Sequence, residues 1–148
     1  MKRTPALADQ GSREVSRRVG AIALVVSDYD EAKAWYLTKL GFVEYADTPM
    51  DGEKRWVVVG PQNAETRLLL ARAATPDQTA RVGDQTGGRV FLFLETDDFA
   101  RDFAAMTARG VKFREAPRHE AYGTVAVFED LYGNRWDLIE PRPLPEGV

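Results

Sequence analysis

Cysteine is absent from all 148 residues, which removes disulfides, thiolate metal sites and cysteine nucleophiles together. That absence suits a reducing cytoplasm, where we expect the chain to reside. Histidine occurs once, at His119, in the polar loop EAPRHEAYGT. With no second histidine and no nucleophile motif, it is read as an exposed loop residue; the functional alternative is an acid or base, His119 or Glu120, reaching over a pocket mouth. Charge of one sign is missing too: 20 Lys and Arg stand against 23 Asp and Glu, a net charge of −3. No global field therefore draws nucleic acid or an anionic membrane. No apolar run approaches membrane-spanning length, and the opening MKRTPALADQGSREVSRRVG lacks the apolar stretch of a signal peptide. A phosphate-cradling loop is also lacking, because Gly87 and Gly88 precede a strand pattern instead of a helix.

What is present is a hydrophobic content of 44%, enough for one globular domain with a real core. Residues 1–18 are expected to form a disordered, solvated arm, since Asp9 and Glu14 interrupt Lys2, Arg3, Arg13, Arg17 and Arg18. Residues 19–141 form the domain and 142–148 a tail. From Ala21, AIALVVSDYD reads as a strand closed by an acidic helix cap, and EAKAWYLTKLGF as a helix ending at Gly41. Strands are expected over 42–46, 55–59 and 66–71. The second half, VFLFLETDDFARDFAAMTARGVKF, repeats this order 69 residues downstream, from Asp28 to Asp97, with further strands over 111–115, 122–129 and 135–140. Two βαβββ modules result, 19–72 and 89–141, joined by the polar link TPDQTARVGDQTGG. The fold class is α+β. Each module covers one sheet face with its helix, so the two together must enclose a cavity or pack the other faces.

Asp137 stands out in FEDLYGNRWDLIEP, a carboxylate between Trp136 and Leu138 in a strand. It is a neutralised structural charge, a metal ligand or a contact for a bound molecule. The stretches VSDYDEAKAWYLTKLGF, LETDDFARDFAAMTARGV and YGTVAVFEDLYGNRWDLIEP together resemble the vicinal oxygen chelate superfamily: glyoxalases, extradiol dioxygenases, fosfomycin resistance enzymes and bleomycin-binding resistance proteins. The resemblance covers nearly all of Val19 to Pro141. It implies curled mixed sheets around a ligand cavity, helices on the outer face, and frequently a homodimer.

Metal-using members carry His, Gln or Glu on four inward strand faces. Carried onto this chain, those positions fall at Ala21, near Leu69, at Phe91 and at Asp137, and only Asp137 retains an oxygen donor. A divalent ion needs several protein ligands, so neither a metal nor a cofactor is expected. Side chains alternate between the faces of a strand. Ala21, Ala23 and Val25 should share the open face with Arg67 and Leu69, with Phe91, Phe93 and Glu95, and with Arg135, Asp137 and Ile139. The expected ligand-binding residues are Trp56, Arg67, Leu69, Phe91, Phe93, Tyr122, Arg135 and Asp137, with Arg67 the candidate partner of Asp137. These point to a metal-independent protein that binds a small organic molecule, with no nucleic-acid or membrane partner. The alternatives are a lyase, isomerase or dioxygenase with relocated ligands or acid–base chemistry, and a regulatory module with no ligand.

Overall fold

Two aspartates turn strands into helices at equivalent points of the two modules. The computed structural model describes residues 16–144, so most of the expected arm and the end of the expected tail lie outside the described residues. After β1 (Ala21–Val26), Asp28 adopts an extended backbone and its Oδ1 accepts from the amides of Asp30 (2.8 Å) and Glu31 (3.3 Å), satisfying two free N–H groups at the start of α1 (Tyr29–Lys39). The chain then runs through β2 (Val43–Pro49), β3 (Arg55–Gly60) and β4 (Arg67–Arg72), and a connector carrying the one-turn α2 (Pro76–Thr79). The second module follows as β5 (Val90–Glu95), α3 (Phe99–Ala108), β6 (Lys112–Phe113), β7 (Arg118–Glu120), β8 (Gly123–Glu129) and β9 (Arg135–Pro141). The cap of α3 is Asp98, one residue beyond the acid expected, while Asp97 pairs with Arg101 at 2.8 Å.

The first sheet has strand order β1-β4-β3-β2 and the second β5-β9-β8-β6, with β7 also pairing to β8. In each, the strand before the helix lies parallel to the last strand of its module and the remaining pairs are antiparallel. The α+β class and the paired modules are thus as the sequence pattern indicates. The elements α2 and β7 fall in segments expected as loops.

Alternation buries Leu24, Val26, Val57, Val59, Leu68 and Leu70 against α1, and Phe128, Trp136 and Leu138 on the corresponding side of the second sheet. The two helix-facing sides fuse into one core. Phe42, Tyr36, Trp136, Phe128, Phe113, Phe103 and Phe99 form a chain of rings with successive centroids 4.4 to 5.9 Å apart.

A polar joint ties the modules where FEDLYGN turns between β8 and β9. Buried Asp130 accepts from the Tyr36 hydroxyl at 2.7 Å, from the amides of Tyr132 and Asn134 at 2.9 Å each, and from Asn134 Nδ2 at 3.0 Å. Gly133, at φ 99°, supplies the left-handed backbone the turn needs. Asn134 Oδ1 accepts from the Gln85 amide at 3.1 Å. The Gln85 side chain in turn behaves like a strand residue beside β1, accepting from Val25 N at 3.1 Å and donating to Ala23 O at 2.8 Å. The connector therefore covers part of an open sheet edge and links both halves.

Candidate ligand-binding site

Small side chains open the free face of the first sheet. Ala23 pairs with Leu69 and Val25 with Ala71, and Trp56 stands on β3 with 45% of its surface exposed. At the end of this sheet, where β4 stops and β3 begins, lies a hollow of about 620 Å³. Val25, Trp56, Leu69 and Ala71 form its apolar wall, and Tyr29, Arg55 and Arg72 close its end. The two guanidiniums lie 5.1 and 5.6 Å from the Tyr29 ring centroid. Arg55 is fixed by Asp47, at 3.1 and 2.8 Å, and by Asp30 at 2.8 Å. Arg55, then Lys33, holds the Asp47 carboxyl down at about 2.

The free face of the second sheet has a different character. Asp137 pairs across with Phe93 on β5 and with Val127 on β8, and Ile139 with Glu95 and Val125. Phe93 is 60% exposed, whereas Asp137 is only 7% exposed and its Oδ1 has no hydrogen-bond partner. Burial raises the Asp137 pKa and Glu115 adds to the rise, opposed by the charge of Arg118. Arg118 is itself held by Glu115 at 3.0 Å and Glu120 at 2.7 Å. Arg135 borders a separate hollow of about 350 Å³ and donates to Gly88 O at 3.1 Å. Tyr122, half-exposed, sits at the turn between β7 and β8.

Two expectations about these side chains need correction. Arg67 does not meet Asp137: its guanidinium lies 3.6 Å from the centroid of the Tyr45 ring and its Nε donates to Ala64 O at 2.9 Å. The arginine whose charge reaches Asp137 is Arg118, on the unforeseen β7. The open-face parity assigned to Phe91 also fails, because a register shift between Val90 and Leu92 leaves its ring packed edge-on against Trp136 at 6.3 Å. His119 lies on β7 opposite Thr124, with Nδ1 3.2 Å from that hydroxyl. Trp56 and Leu69 thus meet in one hollow, while Phe93 and Asp137 meet on the other sheet.

The model of the Glyoxalase/Bleomycin resistance protein/Dioxygenase superfamily matches residues 18–138. The chain belongs to this superfamily. A protein of Shewanella frigidimarina (strain NCIMB 400) is 56% identical over 121 residues, spanning 80% of this chain and 90% of its own. Among solved structures, UcmS2 superposes with a TM-score of 0.75 at 31% identity, covering 85% of this chain and 99% of its own. TnmS3, an antibiotic binding protein from Streptomyces sp. CB03234, does so with a TM-score of 0.71 at 32% identity, covering 86% and 98%. Of the four positions that the family resemblance assigns to metal ligands, Ala21, Leu69 and Phe91 carry no donor side chain, and Asp137 pairs with Phe93 and Val127. Among the described residues no group of three or more His, Asp or Glu side chains could hold a metal ion.

Proposed function

We propose that this superfamily member is a small-molecule binding protein of the bleomycin resistance type, working without a metal ion. The observation that carries the reading is Trp56, half-exposed beside Leu69 in a hollow of about 620 Å³, a volume suited to a drug-sized ligand. The likeness to an antibiotic binding protein supports the same class. Asp137, enclosed beside Phe93 with an unpartnered oxygen, is suited to a cationic or hydrogen-bond-donating group. Phe93 and Trp56 leave apolar surface on the open faces, and Tyr122 at the β7–β8 turn, that a second copy would cover, the basis for proposing a homodimer. The raised pKa of Asp137 favours a second reading, an acid–base enzyme of the superfamily.

Titration with polycyclic aromatic antibiotics tests the reading. Quenching of tryptophan fluorescence that disappears in Trp56→Phe is the expected result. Calorimetric titration with Ni, Zn, Mn and Fe(II) should give no stoichiometric binding below micromolar concentration. One equivalent bound there and lost in Asp137→Ala would overturn the metal-free reading and favour an enzyme.

A further inference from the structure

Arg72 differs from its neighbour Arg55 in how its charge is balanced. Both lie against Tyr29, but Asp30 and Asp47 compensate Arg55 from positions that do not line the hollow. Arg72 meets Glu53 at 3.0 Å, and the Glu53 side chain is 84% exposed on the β2–β3 hairpin tip. An ion pair of that kind contributes little and exchanges readily. The charged groups lining the hollow are Lys54, Arg55 and Arg72 against Asp51 and Glu53. Both carboxylates belong to the exposed tip, whereas Arg72 ends β4 on the side of Tyr29, round the strand end from the wall of Val25, Leu69 and Ala71.

We infer that this hollow selects an aromatic compound bearing an acidic group, with the ring against Trp56 and the anion taking the place of Glu53 on Arg72. The inference rests on the ligand-binding reading above and adds the charge of the ligand. A planar guanidinium offers paired N–H donors to a carboxylate or sulfonate. Glu53 then acts as a stand-in that keeps Arg72 paired when no ligand is bound. Selectivity follows from chemistry: a neutral ligand of the same shape leaves the Arg72–Glu53 pair in place and gains only the apolar contact.

Two dyes of nearly equal shape separate these contributions: 8-anilinonaphthalene-1-sulfonate, an anion, and N-phenyl-1-naphthylamine, which is neutral. The full chain is titrated with each, following dye emission excited through tryptophan. The sulfonate should bind about tenfold more tightly than the neutral dye, the worth of one charge-assisted contact. Arg72→Gln should abolish that preference while leaving the neutral dye within twofold, and Glu53→Gln should tighten the sulfonate alone. Arg101→Gln, on α3, controls for general loss of positive charge, and Trp56→Ala should weaken both dyes. Equal affinity of the two dyes, or a sulfonate affinity unchanged in Arg72→Gln, overturns the inference while leaving the ligand-binding reading intact. Failure of both dyes to bind, or binding of both that is indifferent to Trp56→Ala, overturns the ligand-binding reading of the hollow as well.

Discussion

Replacing Asp137 by leucine should make the unliganded protein more stable. Asp137 corresponds in the internal repeat to Leu69: each lies in the last strand of its module, opposite Phe93 and Ala23 respectively on the parallel first strand. Leucine is therefore already accepted at the equivalent place. Removing an enclosed oxygen without a partner recovers about 1–3 kcal/mol, and burying the leucine side chain adds a gain of similar size. Crowding against Phe93 and Val127 costs about 1–3 kcal/mol, less where the face is open, so a net gain of about 1–2 kcal/mol is expected. For a chain of this length that is a rise in Tm of about 3–6 °C. The pH dependence gives a second readout. The folded pKa of Asp137 lies above the unfolded value of 3.8, so the folded state holds the proton more tightly. Stability from this group then falls as pH rises from that value through the folded pKa. The advantage of Asp137→Leu should accordingly be small at acid pH, widen across that window and level off above it. Urea unfolding of both proteins from pH 4 to pH 8 measures this. A destabilised Asp137→Leu, or a difference independent of pH, would refute the reading of Asp137 as an uncompensated carboxylate.

Tyr36→Phe leaves the shape of the core but deprives buried Asp130 of one of its four donors, and should cost about 1–3 kcal/mol in urea unfolding; a loss below about 0.5 kcal/mol would mean that the joint does not couple the modules. Gln85→Ala should speed hydrogen exchange at the Val25 amide, because that donor loses its side-chain acceptor. Unchanged protection at Val25 would show that the Gln85 amide does not guard the edge of β1.

The signals that revealed the fold are local and occur twice. An acidic cap, a helix and a glycine need only neighbouring residues to be recognised, and Gly41 and Gly110 both adopt positive φ where the helices end. The side-chain geometry of the candidate site depends on pairing between distant segments. Arg118 carries no local signal, because β7 spans three residues and exists only through its ladder with β8. Strand parity assumes an unbroken register, and one shift between Val90 and Leu92 sends the Phe91 ring to the core. Parity alone pairs Arg67 with Asp137, whereas the stack on Tyr45 crosses β3 at Gly60, where no side chain intervenes. Strand parity places Val25 and Leu69, which line the hollow, on one open face; its cationic end has no such signal, since Arg55, Arg72 and Tyr29 meet only after three elements converge.

The two modules share one plan, so the positions at which they differ on their open faces indicate where function has diverged. Where the first module has Ala23 beside Leu69, the second has Phe93 beside Asp137. The first pair is apolar, and its Leu69 lines the hollow; the second places a ring and a poorly compensated carboxylate at the equivalent position. Neither change improves the core, because all four residues lie on the face turned away from the helices, and the Phe93–Asp137 pair carries a cost in stability that the first module avoids. A duplicated scaffold retains such a cost where the residues contact something other than the protein itself. On this view Leu69 serves the hollow of the first sheet, and Phe93 with Asp137 mark a separate polar position on the second. An Asp137→Leu protein that is more stable yet binds its ligand as well as before would show the cost to be accidental.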